Sequence, residues 1–367
     1  MSQDFVTQLR LQLRAAALRE ERRAPVARRV IRTRRRLPGP APLAAALAIA
    51  LLALAVALGA VALRGEPEPA QPKVVGTYAV ASSLSALAPG FGSVWTADPI
   101  RGEILRIDPG SRRVAARIPV HDEASVRTGA GAVWALAGDL LYGGDKGPVR
   151  LLRIDPATNH ITARIPMRTP AGDGFGPVDL QVGGGAVWVV GVDGALRIDP
   201  VRNVAERFVP FTAAGEAARG AVTDGGSVWV LGVDGRVRRL DALSGRTVGD
   251  VRVRMPADSH LFGGRPGTLT LIGANEIALF EPGSGHLLWR ATVDGEIRYL
   301  ITDDDALWIH VSREPDGRDE LVRLDADSGR QSAQVDLGEP GVAGVTRVDR
   351  DIWVATPGGK IVVVRAP

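Results

Sequence analysis

Arg219, His260 and Arg298 each stand ten residues before Trp229, Thr270 and Trp308, positions at which one short phrase recurs. Equivalent placement on consecutive repeats predicts that the three side chains converge. Converging guanidinium groups hold a carboxylate, sulfate or phosphate through paired N–H donors. His260 would be the member whose charge changes near neutral pH. A plainer arrangement competes: Glu216, Asp258 and Glu296 lie two or three residues before these positions, one for each, and would neutralise them locally. The same offset gives Ser85, Ala124, Val178 and Ala343 in the other repeats, none of them charged.

Other chemistries find little material. With 0 Cys there is no disulfide, thiol nucleophile or cysteine metal site. Asp303-Asp304-Asp305 would suit a cation, yet it falls in the turn before Trp308, where Asp224 and Gly225 stand one repeat earlier, and reads as a solvated turn. No cofactor is predicted.

The elements that must position these residues come from the repeat. The phrase is Gly-x-hydrophobic-Trp-hydrophobic, a Val/Leu-rich strand ending in Asp-Pro, then another strand. Its tryptophans are Trp95, Trp134, Trp188, Trp229, Trp308 and Trp353, with Thr270 replacing the indole in the fifth copy. A period near forty residues with all-strand content predicts an all-β, seven-bladed β-propeller over residues 73–367, one four-stranded sheet per copy. In the third copy the strands read 178–182, 186–190, 195–198 and 204–209, from innermost to outermost.

Third and fourth strands join through a repeated acidic turn, beginning at Asp108, Asp155, Asp199, Asp241, Glu281 and Asp325. The acid accepts backbone N–H bonds, Pro presets φ, and a later Gly or Asn supplies positive φ, which explains six acidic residues without catalysis. The seventh copy ends at Ile361–Arg365 without an outer strand. Residues 73–80 resemble the outer strands beginning at Val114 and Ile161, and are expected to pair into the last blade and close the ring. Inserts at Ala137–Pro148, Arg168–Pro177 and His310–Glu320 are read as enlarged loops on the functional face.

Ahead of the repeats, Ala41 to Leu63 is apolar and uncharged. As a helix it would span about 34 Å, enough for a hydrocarbon core of roughly 30 Å. The cluster Arg28, Arg29, Arg32, Arg34, Arg35 and Arg36 precedes it and predicts a cytoplasmic N-terminus with the propeller outside. A cleaved signal peptide fits less well, because the apolar run is long and sits far from the N-terminus. Residues 1–36 carry 11 Arg and 3 acids, leaving the rest with 34 basic and 38 acidic residues. The basic pI therefore belongs to the tail, and the mildly acidic propeller is not expected to bind nucleic acid. Within the tail, Phe5, Leu9, Leu13 and Ala16 recur at helical spacing, predicting a partly helical segment that lies on the inner leaflet or docks a cytoplasmic protein. Residues 64–72 are a Pro-rich spacer.

Gly92-Ser-Val-Trp-Thr-Ala-Asp followed by Ile104-Leu-Arg-Ile-Asp-Pro resembles the repeats of streptogramin (virginiamycin B) lyase-like and YVTN-type propellers. Glu281-Pro-Gly-Ser-Gly-His-Leu-Leu-Trp289 resembles a blade of the pyrroloquinoline-quinone-binding-like group. Ala, Arg and Gly usage with an Arg-rich tail before one anchor is similar to actinobacterial membrane proteins of this kind. The lyase resemblance implies His and Glu around a magnesium ion at the channel mouth. Here only His260 of the 5 His falls at an inner-strand entry; His121, His160, His286 and His310 are read in loops or outer strands. The leading expectation is a non-enzymatic extracytoplasmic binding or interaction module on a single-pass anchor, taking an anionic small molecule or an extracellular protein. The alternatives are a lyase or hydrolase on an extracellular small molecule with His260 as acid/base, and a sensor whose tail recruits a regulatory protein.

Overall fold

The computed structural model describes residues 71–138, 149–168, 176–211, 217–224, 226–254, 259–265, 267–303, 305–313 and 317–367. The expected tail, apolar span and most of the spacer lie outside the described residues. Among the described residues no helix is long and apolar enough to cross a membrane.

Short runs of β-branched residues between Gly and Asp-Pro turns form seven four-stranded antiparallel sheets, the blades of a propeller. In the first six blades the strands pair in chain order from the inner edge outward. The third blade, Pro177–Gly183, Ala186–Gly191, Gly194–Asp199 and Val204–Pro210, matches its expected strands closely. The last blade borrows its outer strand from the front of the domain. Lys73–Ala79 pairs antiparallel with Lys360–Arg365, running from Lys73 opposite Arg365 to Ala79 opposite Lys360. The joint is locked to the first blade: the Arg112 guanidinium donates to the Tyr78 hydroxyl, lies 4.9 Å from its ring centroid, and approaches Asp351 at 3.9 Å.

The acidic turns behave as their chemistry requires. Asp108, Asp155, Asp199, Asp241 and Asp325 accept N–H bonds of 2.7–2.9 Å from the turns they open. Hydrogen bonds to the carboxylate, led by the Ser111 hydroxyl at Asp108 and the Ala157 amide at Asp155, hold these acids below the ordinary aspartate range. Positive φ comes from Asn159, Asn203, Gly245, Gly285 and Gly329, but in the first blade from Arg112 at φ 58°.

Each repeat tryptophan lies on a second strand and packs against the next blade. Trp95 meets Val126 and Ile154, Trp188 meets Val228 and Leu240, and Trp353 meets Leu87 and Ile107. Between the fifth and sixth blades Thr270 cannot supply this contact. Trp289, on the outer strand His286–Thr292, fills the interface instead, packing with Leu307, Val322 and Leu324. Its Nε1 donates to the Ala326 carbonyl at 2.9 Å. In the first blade, Arg106 on the third strand makes the corresponding bond to Pro156 of the next turn, at 2.9 Å. The 7 Trp of the chain therefore fill seven blade interfaces.

Candidate functional site

The face that carries the entries of the inner strands also carries the hairpins between second and third strands and the connections between blades. Three inner strands present the candidate residues: Ala218–Thr223, His260–Gly263 and Glu296–Thr302. Register separates them. Arg219 is the extra residue of a bulge between Ala218 and Gly220, and Arg298 occupies the same bulge between Ile297 and Tyr299. His260 instead pairs regularly with Ile272, two positions past Thr270. A bulge leaves one residue outside the ladder and re-aims its side chain, whereas His260 stays in the alternation of its strand and is exposed.

Their surroundings also differ. Arg298 donates to Glu296 at 2.8 Å, with both side chains about half exposed. This is the local neutralisation read in the sequence; Glu216 and Asp258 lie outside the described residues. Arg219 lines a pocket of about 210 Å³ at the top of the fourth blade, and among the described residues its buried Nε lacks a hydrogen-bond partner. Arg252 and Arg254, which sequence reasoning did not single out, line the same pocket. They lie at the end of the outer strand Thr247–Arg252 and just beyond it.

A second polar cluster lies at the inner edges of the second to fourth blades. Asp179 accepts the amide N–H of Ala221 at 3.0 Å and that of Leu180 at 2.8 Å, and stands 3.7 Å from Arg127. Gln181 donates to both Asp179 and the Ala221 carbonyl, at 3.2 and 2.8 Å. About a fifth of the Asp179 side chain remains open, yet protein surrounds it, and this burial raises its pKa despite the opposing arginine and amides. Through the Arg127 side chain and the Ala221 amide it reaches the inner strands of both neighbouring blades, so the cluster stitches blades together.

Two expectations need correction. His310 is neither in a loop nor on an outer strand: it lies on the second strand Ala306–Arg313 and is 1% exposed. The insert expected over His310–Glu320 is consequently mostly hairpin, continuing into Arg318–Asp325. Alternation carries the missed signal, because His310 is two residues past Trp308 and shares its buried face. As for the acidic triplet, Asp303 pairs with Arg347 and Asp305 with Arg323 at 2.7 Å, while Asp304 lies outside the described residues. Among the described residues no group of three or more His, Asp or Glu side chains is placed to hold a metal ion. The positive lining at Arg219 suits an anion.

Residues 233–366 match the family model described as outer membrane protein assembly factor BamB. Among curated proteins none matches the chain. Among solved structures, a streptogramin B lyase superposes with a TM-score of 0.63 at 13% identity, covering 82% of this chain and 99% of that one. The virginiamycin B lyase of Staphylococcus aureus gives 0.64 at 14%, covering 81% and 100%. BamB of Moraxella catarrhalis gives 0.56 at 15%, covering 80% and 100%. At these identities the likeness is one of fold. The chain is a seven-bladed β-propeller similar in fold to both the lyases and BamB, with its last blades matching the BamB family model.

Proposed function

We propose that this protein is a non-enzymatic binding module held on the outer face of a membrane by a single-pass anchor, and that it recognises an anionic ligand at the channel-mouth face. The observation that carries the reading is a pocket on that face lined by Arg219, the extra residue of a strand bulge, together with Arg252 and Arg254. Guanidinium groups gathered at one pocket hold an anion through charge-assisted hydrogen bonds. The anchor rests on the Ala41–Leu63 run and the arginine cluster before it. The tail of residues 1–36 would then face the cytoplasm, where it could pass a signal to a protein partner. Likeness in fold to BamB, an assembly factor by name, accords with a binding role.

A lyase or hydrolase is the second reading, favoured by the fold shared with streptogramin B lyase and by the exposed His260 on the same face as an acid/base. Thermal melting of the full chain in detergent, against anions, sugars, peptides and divalent metals, separates the two. A ligand at a hundredfold excess over its Kd adds about 2.7 kcal/mol, a shift of several degrees. The binding module predicts a shift with an anion that Arg219→Ala abolishes, with the compound recovered intact. Turnover that His260→Ala abolishes would establish the enzyme instead.

A further inference from the structure

The pocket at Arg219 has a frame of its own. Its floor is the hairpin over Gly232–Gly235, pinned on one side by Val233 N–H to the Ala217 carbonyl at 2.8 Å. On the other side, Val253 N–H reaches the Gly235 carbonyl at 3.0 Å. Gly235 turns the hairpin at φ 77°, a conformation that favours glycine. Arg254 is held from behind, its carbonyl accepting from Arg290 at 2.9 Å. Backbone hydrogen bonds thus fix the positions from which Arg219, Arg252 and Arg254 line one cavity.

Among the described residues the charge around this cavity is unbalanced. Elsewhere arginines on these strands meet carboxylates, as Arg236 does with Asp234 at 3.2 Å and Asp250 at 2.8 Å. Those contacts engage the acid on the pocket rim. Among the described residues Arg219, Arg252 and Arg254 have no carboxylate partner. Arg252 also stands directly opposite Arg236 across the strand pair, an arrangement that like charges disfavour. Leu231, Val233 and Val253 complete the wall with apolar surface.

We infer that this pocket binds the phosphate of a small organic phosphomonoester, with Arg219, Arg252 and Arg254 gripping the oxyanion and the apolar wall receiving the ester carbon. The inference rests on the anion-binding reading above and narrows it to a group and a place. A carboxylate offers two oxygens in one plane, whereas a phosphomonoester offers three to guanidiniums approaching from different directions. At about 210 Å³ the cavity is smaller than the roughly 300–1,000 Å³ of a complete small-molecule site, which suits a head group with a short organic body.

The test is calorimetric titration of the full chain in detergent, at constant ionic strength, with inorganic phosphate, phenyl phosphate, phenyl sulfate and benzoate. Phenyl phosphate should bind at least tenfold tighter than benzoate and tighter than inorganic phosphate. Arg252→Gln, Arg254→Gln and Arg219→Gln should each weaken it at least tenfold, with Arg298→Gln unchanged. Arg252 and Arg254 are exposed, and an unshifted ligand-free melting curve would verify their folding. Phosphate binding that needs Arg298 and His260 but neither Arg252 nor Arg254 overturns this pocket while leaving an anion site at the mouth. Equal affinity for benzoate overturns the phosphate assignment. Absence of binding by every anion overturns both.

Discussion

His310 donates through Nε2 to Asp319 Oδ1 at 2.6 Å, with both side chains at least 95% buried. Asp319 Oδ2 in turn accepts the Gly341 amide at 2.6 Å, tying the sixth blade to the chain entering the seventh. Among the described residues Nδ1 of the imidazole has no partner, which fits a neutral ring carrying its proton on Nε2. Burial, the largest influence, pushes the His310 pKa down, against the hydrogen bond to Asp319; Tyr299, Arg298 and Glu296 are its other polar neighbours. A histidine whose folded pKa lies below its unfolded value near 6.5 favours the fold above that pH, and its contribution is lost as pH falls below it. Chemical denaturation between pH 5 and 8 should therefore show stability declining below about pH 6.5, by at most roughly 1.4 kcal/mol per pH unit from this group. His310→Gln should flatten that limb, and an unchanged profile would refute the assignment. Little of this was legible in the sequence, because Asp319 becomes a partner only once the hairpin joining Ala306–Arg313 to Arg318–Asp325 is in register. The turn aspartates were legible, since their hydrogen bonds are made within three residues.

A repeat element can be satisfied from more than one strand. Opposite Trp95 stands Arg106 and opposite Arg106 stands Ala116; the fifth blade has Thr270, Leu279 and Trp289 in the same three places. The indole has moved two strands outward while still reaching the next blade's turn, where Gly329 leaves room for the ring. Sequence periodicity exposes the missing tryptophan at 270 but not its replacement, because the repeat phrase specifies no residue type in its outer strand. Truncating a buried aromatic costs about 3–5 kcal/mol. Trp289→Ala should lower unfolding stability by about that amount and Trp289→Phe by much less, as read from urea midpoints. A loss under about 1 kcal/mol for the alanine variant would mean that Trp289 does not hold the interface. The strand bulges at Arg219 and Arg298 were likewise outside the pattern. A fixed offset from the tryptophan found both residues, but grouped them with His260, whose strand has no bulge.

Across the whole molecule, ring closure was readable because Lys73–Ala79 shares the alternation of the other outer strands and the last copy lacks one. The candidate site was readable only in part. Arg219 belongs to an inner strand at a repeated position, whereas Arg252 ends the outer strand and Arg254 lies just beyond it. That proximity depends on three-dimensional closure of the blade and has no counterpart in linear spacing. The role proposed above is to hold an anion on this face without transforming it. Hydrogen exchange of the full chain, with and without saturating phenyl phosphate and with chemical analysis of the recovered compound, tests it most directly. Protection is expected over residues 217–224, 226–235, 252–254 and 259–260, with phenyl phosphate recovered intact. Protection confined to the opposite face, no protection at all, or release of phenol would contradict it.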